Sequence, residues 1–466
     1  MSKEIKNITN LILKAAKKAR QETSDTPEVE HTSPVQWPAN CTVGPGLEGA
    51  IACESKIGYV NGSKGWLIYR GYDIFDLCAY STFEEVSYLL IHGNLPTVSQ
   101  LESFKNKLIR YRFLNTTLRL LMGFEVESMN AMGALRMGTN LMRQEFTELD
   151  QEKSKPTITD AISSDEDSIP METPPMGEEK AIYEFKWPPS RQRAKVPQRF
   201  EDSCSIEACY HLLSGVATIT AAIARIRKGR MPIEPDPNLS HAANLLYMIS
   251  GEKPTPVEER IMDIALILHA DHGMNASTFA SMVVASTLSD IYFSVGAGVA
   301  ALSGPLHGGA NEQVITTLKK IGGADNVPAW FDKTLSGKGK VAGFGHRVYK
   351  TYDPRARILG PLAKFLVKGN KDVEPLFKTA YELEKKVVSE LGAKKNIFPN
   401  VDFYSGIVYS CLGITPDMFT PIFAVSRVSG WTARVLEYLQ NNRIFRPRAM
   451  YIGDFNKVFT PLARRK

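Results

Sequence analysis

The chain has 466 residues, of which 43% are hydrophobic and 23% charged, and it carries a net charge of +6. So mild a balance argues against nucleic-acid binding, which concentrates basic charge into stripes. It suits a soluble globular protein of two or three domains, or one large core with a smaller lobe. No uncharged apolar run reaches the ~18 residues of a membrane span, and no signal-peptide core follows the N-terminus.

Residues 6–22 read as a basic amphipathic helix. It is a surface or dimer-contacting helix, or else a transit peptide, against which scarce arginine and Glu4 speak. Residues 23–40 lack periodicity and read as a flexible lead-in. Order is expected from Gly46. The run IGYVNGSKGWLIYRG predicts a β-hairpin around Asn61-Gly62. Helical patterning dominates from Asp73, with capping boxes predicted at Thr82–Glu85 and Thr255–Glu258. No βαβ alternation follows, so the fold class is mainly α with a small N-terminal β-hairpin.

Residues 148–180 hold ten acidic and three basic residues, and 181–200 turn basic and Pro-rich. Such a segment cannot bury enough apolar surface to order itself. It reads as a solvated, disordered insertion over 146–200. An unknown protein partner docking on Ile182, Tyr183, Phe185 and Trp187 is the other reading. The cysteines (Cys41, Cys53, Cys78, Cys204, Cys209, Cys411) form no CxxC pair, as expected of reduced, mostly core thiols in a cytoplasmic protein.

Four of the eight histidines stand in unusual contexts. His269 and His272 are expected at the end of a helix beginning at Pro256, on one face. A metal site with Asp271 lacks a third ligand there, and a satisfied core role suits His269 better. His307, in Gly304-Pro-Leu-His-Gly-Gly-Ala-Asn311, reads alone as a turn with an incidental histidine. His346 sits in a loop of glycines and cations, 337–350, whose amides and charges suit phosphate. Asp402, among apolar and aromatic neighbours, is either a desolvated, more basic carboxylate or a helix N-cap. Arg427, flanked by small and apolar residues, needs an anion if buried. Arg355 and Arg446 are stiffened by adjacent prolines. Each of the three arginines is either a carboxylate clamp or a structural ion pair.

Taken in order, His269-Ala-Asp-His-Gly-Met-Asn275, Gly304–Asn311, Gly343-Phe-Gly-His-Arg-Val-Tyr349 with Asp353-Pro-Arg355, and Asn400-Val-Asp-Phe-Tyr-Ser-Gly406 resemble the citrate synthase family. The resemblance covers about 46–145 and 202–455. It implies a two-domain helical enzyme: a lead-in over 1–45, a large domain over 46–308, a small domain over 309–413, and helices of 414–466 returning to the large one. It implies condensation of acetyl-CoA with oxaloacetate, with 2-methylcitrate synthase and its propionyl-CoA as the close alternative. No cofactor or metal is implied, since the coenzyme A thioester is a substrate.

By the same resemblance His307 meets the thioester carbonyl, Asp402 is the base, and His346 faces the keto oxygen. His272, Arg355, Arg427 and Arg446 bind oxaloacetate, Arg446 reaching across a homodimer. Coenzyme A lies along Val341, Ala342, Gly343, Phe344 and Gly345, with its phosphates at Arg347 or Lys350, and Phe423 is an acyl-pocket wall. Two features depart from the family pattern: the insertion, and the lack of a His-Pro pair near Asn130-Ala131, where a local packing difference is expected.

Overall fold

The computed structural model describes residues 2–23, 36–37, 39–153, 205–337, 339–454, 458–459 and 461–465, without the side chains of 144–153. Among the described residues six α-helices start before the insertion: α1 (Lys3–Glu22), α2 (Ile74–Tyr80), α3 (Phe83–His92), α4 (Val98–Arg110), α5 (Asn115–Leu121) and α6 (Ala131–Lys153). Then come α7 (Ile206–Ile226), α8 (His241–Ser250), α9 (Pro256–His269), α10 (Ala276–Ser286), α11 (Ile291–Leu302) and α12 (Ala310–Ile321). The last are α13 (Val327–Ser336), α14 (Pro354–Leu366), α15 (Glu374–Val387), the single turn α16 (Ala393–Lys395), α17 (Val401–Cys411) and α18 (Phe419–Leu439).

The fold is mainly α. The only sheet among the described residues is antiparallel, of β1 (Gly58–Asn61), β2 (Trp66–Tyr69) and β3 (Tyr72–Asp73). Gly58 pairs with Tyr69 and Asn61 with Trp66, so the predicted hairpin closes with a four-residue loop. Asn61 Oδ1 accepts from the amides of Ser63 and Lys64 and takes the place of a tighter turn. Both predicted capping boxes form, at Thr82/Glu85 and Thr255/Glu258.

Helix α1 is a surface helix, as expected, with its polar face exposed. Ile8, Ile12, Ala15 and Ala16 are buried, and the helix packs on α2 and α14, so its apolar stripe is covered within the chain. Asn130 stands at the start of α6, accepting from Met132 and Gly133 amides, which gives the departure at that position a local account. Helix α6 runs to Lys153, eight residues into the expected insertion. The rest of the insertion, its four aromatic and aliphatic anchors, Cys204 and most of the lead-in lie outside the described residues. The five described cysteines form no disulfide with one another; Cys78 and Cys209 lie in the core and the half-buried Cys53 and Cys411 pack against it.

Helix α7 is long and apolar enough by length and composition to cross a membrane, but 89% of its apolar window is buried inside the protein. It packs on α6, α8 and α18 and is a core helix. Helices α10, α11 and α18 pack mutually beside it. A second group is built by α12, α13, α15 and α17, with α14 packed on α17 and also touching α1, α2 and α9. Of the residues singled out above, His269, His272, His307, Arg355 and Asp402 fall at or just beyond the ends of α9, α11, α14 and α17.

Candidate active site

Helix α9 ends at His269, so His272 lies beyond it, in the turn leading to α10, and the two histidines do not share a helical face as expected. His269 is wholly buried, with Nδ1 2.7 Å from the Ala265 carbonyl and its ring edge-on to Phe423. Its Nε2 is buried without a hydrogen-bond partner. Burial pushes its pKa down to about 3, so it is a neutral core imidazole. Asp271 is committed to a bidentate pair with Arg434. Among the described residues no group of histidine, cysteine and carboxylate side chains is arranged to hold a metal.

His272 Nε2 lies 3.2 Å from the Tyr349 hydroxyl, and its ring meets His346 edge-on at 5.2 Å between centroids. Burial, then the charge of Arg355 and the neighbouring His346, hold its pKa well below the ordinary value. His346 Nδ1 accepts from the amides of Val348 and Tyr349 at 3.0 and 3.1 Å. Both are donors, so Nδ1 must carry the lone pair and the proton sits on Nε2. Burial lowers this pKa to about 4 against the opposing charge of Asp353, which leaves a neutral N–H donor at neutral pH.

His307 follows the same logic from the other wall. The turn after α11 is closed by His307 N–H to Gly304 O and Gly308 N–H to Leu302 O. A Cβ on Gly308 would stand 2.3 Å from Leu302 O, so the turn needs glycine there. The Ser277 amide donates to His307 Nε2 at 3.3 Å, with the Ser277 hydroxyl 2.8 Å from the same atom. An amide needs a lone pair, which places the imidazole proton on Nδ1. Burial and then Arg427 lower its pKa to about 4.

Helix α17 is capped by Asn400, whose side chain accepts from the Asp402 amide; Asp402 is therefore in the first turn and is not the cap. Its carboxylate keeps partial access to solvent and makes no hydrogen bond among the described residues. Burial raises its pKa to about 7 against Arg355 and Arg427, with Asp353 adding to the rise.

The arginines divide. Arg355 spends its Nε and one Nη on Asp353, at 3.0 and 2.8 Å, so the structural ion pair is real. That pair leaves its other Nη free of Asp353. Arg427 is 1% exposed, donates from Nε to His269 O, and lies over the Phe423 ring. No carboxylate among the described residues forms an ion pair with it, and burial depresses its pKa to about 10. A buried guanidinium left in that state is an anion site. Phe423 thus forms a floor between His269 and Arg427. Arg446 is exposed on the irregular segment beyond α18, and no hydrogen bond or ion pair joins it to the cluster among the described residues.

The loop Val341–Gly345 is strapped to the segment before α17. Gly345 N–H donates to Phe398 O, Asn400 N–H to Gly343 O, and Asn400 Nδ2 to Gly345 O. Gly343 has φ +79°, and a Cβ there would meet Val314 and Phe403 at 2.7 and 2.8 Å. Arg347 and Lys350 are exposed beside it. Ser277, Tyr69 and Arg434 carry no motif of their own and were missed in the sequence. The one available signal for Arg434 is its place seven residues, about two helical turns, after Arg427.

Fold and site together define a helical enzyme that joins an unpaired carboxylate to neutral imidazole donors beside a buried, unpaired cation. The sequence model described as "Citrate synthase, C-terminal domain" matches residues 46–448. The citrate synthase of Haloferax volcanii is 40% identical over 421 residues, covering 90% of this chain and 98% of that protein. The one from Deinococcus radiodurans is 38% identical over 425 residues, covering 91% and 99%. Among solved structures, citrate synthase from Pyrobaculum aerophilum superposes with a TM-score of 0.75 at 37% identity, covering 94% of this chain and 100% of that one. The Thermoplasma acidophilum enzyme, in a ternary complex with carboxymethyl coenzyme A and oxaloacetate, gives 0.74 at 31% identity, covering 91% and 100%. The chain belongs to the citrate synthase family and is an acyltransferase of that type.

Proposed function

We propose that this chain condenses acetyl-CoA with oxaloacetate and hydrolyses the resulting citryl thioester to citrate and free coenzyme A, as the entry step of the tricarboxylic acid cycle. The observation that carries the mechanism is the contrast, around the shared charges of Arg355 and Arg427, between the unbonded Asp402 carboxylate, raised to about 7, and two imidazoles kept neutral near 4. A carbon acid as weak as an acetyl thioester needs such a base together with a donor at the developing enolate oxygen.

Asp402 takes a methyl proton while His307 Nδ1–H donates to the thioester oxygen. The enol carbon then attacks the keto carbon, and His346 Nε2–H donates to the oxygen that becomes the alkoxide. Water cleaves the thioester, releasing the thiol. Arg427, the free Nη of Arg355, and His272 bind the keto acid's carboxylates and carbonyl. Arg446 completes that set from a second copy, which makes the working unit a homodimer. Coenzyme A lies along 341–345 with its phosphates at Arg347 and Lys350, and no resident cofactor is needed. The small domain, 309–413, closes on the large one to exclude water. We place the enzyme in the cytoplasm.

Thiol release from acetyl-CoA and from propionyl-CoA, each with and without oxaloacetate, tests the reading. Oxaloacetate-dependent release from acetyl-CoA is expected. A propionyl preference would transfer the assignment to 2-methylcitrate synthesis, and no dependence on oxaloacetate would sink it.

A further inference from the structure

His272 stands in a short turn between two helices, and a turn by itself is a poor support for a group that must be placed within fractions of an ångström. What braces it lies one residue back. Asp271 is wholly buried, with Oδ1 and Oδ2 each 2.7 Å from Arg434 Nε and Nη2. Oδ2 also accepts from the Gly273 amide at 3.2 Å. The buried Tyr69 hydroxyl, on β2, lies 2.8 Å from Asp271 O and 3.2 Å from Asp271 N. Both peptide groups flanking His272 are therefore tied down.

The packing leaves no slack around these bonds. A Cβ on Gly430 of α18 would stand 2.3 Å from Ala270 O, and one on Gly58 of β1 would stand 2.7 Å from Asp271 Oδ2. Arg434 follows Arg427 by two turns of α18, so one helix face grips the turn at both ends: Arg427 at His269 O, Arg434 at the Asp271 carboxylate. Arg434 is itself braced. Its Nη1 donates to Ser55 Oγ at 3.1 Å, and Ser55 donates to Glu437 at 2.6 Å. Glu437 pairs with Arg70, which donates to Leu90 O on α3.

We propose that the Arg434–Asp271 fork, with the Tyr69 hydroxyl, is the positioning device that sets His272 against the keto acid. Arg434 touches no substrate and acts through the orientation of residues 270–273. Two parallel bonds fix the rotation as well as the place of the Asp271 carboxylate, which a single ammonium contact does not. The inference rests on the reading of His272 as a keto-acid ligand.

A double-mutant cycle on the full-length protein tests it, with Arg434→Lys and His272→Ala made singly and together. Arg434→Lys keeps the charge and loses the fork. It is expected to raise the oxaloacetate KM ~10-fold to 10²-fold, the scale of a misplacement near 1 Å, with a smaller change in acetyl-CoA KM. In the His272→Ala background the same change is expected to move oxaloacetate KM less than about twofold, since nothing is left to position. Equal fold-changes in both backgrounds, or none in the first, overturn the positioning role. Tyr69→Phe runs the same cycle without touching the ion pair and decides the matter if Arg434→Lys does not fold. An unchanged oxaloacetate KM in His272→Ala alone overturns the ligand assignment and the inference with it. A rise there without a rise in Arg434→Lys overturns the positioning alone.

Discussion

Two helix N-termini stand side by side in this protein, and they treat an aspartate in opposite ways. At the start of α14, Asp353 is buried and accepts from Arg355 N, Nε and Nη2 and from the Val401 amide. Burial alone would raise its pKa, but the Arg355 charge and these bonds outweigh it and hold the carboxyl below 3.8. At the start of α17, Asp402 sits near the same arginine with no donor on its carboxylate, and there burial wins. The lesson is that having a cation nearby does not by itself decide basicity; a charge in direct contact, together with hydrogen bonds to the ionised form, does. One aspartate is structural because its valences are filled, and the other is available for proton transfer because they are not.

The sharpest way to break the comparison is to neutralise the open member. Asp402→Asn is expected to lower kcat by ~10²–10⁴, the range for a lost general base, while oxaloacetate binding measured by calorimetry changes little. Near-normal turnover would refute the assigned base. Neutralising the filled member should act on folding instead. Asp353→Asn strands Arg355 in the interior, at a cost of about 3–5 kcal/mol, read from the denaturant midpoint. A midpoint within experimental error of the parent would remove the distinction.

The two aspartates also predict opposite pH responses. Asp402 must be ionised to act, so kcat/KM should fall about tenfold per pH unit on descending below about 7. His307 and His346, near 4, stay neutral throughout and add no limb above pH 5. In stability the signs are reversed. The raised Asp402 contributes stability that is present below 3.8 and lost as pH rises through about 7. The depressed Asp353 contributes stability present above 3.8 and lost as pH falls through its lowered folded value. A flat kcat/KM profile from pH 5 to 7 would contradict the Asp402 assignment.

Smaller effects map the surroundings. Gly343→Ala forces a Cβ against Val314 and Phe403, the neighbour of Asp402. It is expected to cost about 1–3 kcal/mol of stability and to raise the acetyl-CoA KM. At a remote cap, Thr255→Ala should cost about 1 kcal/mol and leave both KM values alone, which thermal melting and steady-state kinetics check together.

Much of this was legible in the sequence because it is local. The mainly helical fold, the hairpin and both capping boxes follow from periodicity and short-range hydrogen bonding, which adjacent residues encode. The ordered motifs likewise singled out His272, His307, His346, Arg355, Asp402 and Arg427 as candidates. What chain order could not supply is which charges are satisfied. Asp353 and Asp402 look equally able to serve as caps, and only packing puts Arg355 on the first. Arg427 and Arg434 look alike on one helix, and only the fold gives Asp271 to the second while leaving the first without a carboxylate. The pattern of α1 marks a surface helix, but only the fold shows which elements cover its apolar stripe within the chain. The sequence by itself thus determined the elements and the residue types at the site. The tertiary structure decided which of their charges are paired and which way their pKa values move, because desolvation and long-range hydrogen bonds depend on neighbours that are distant in the chain.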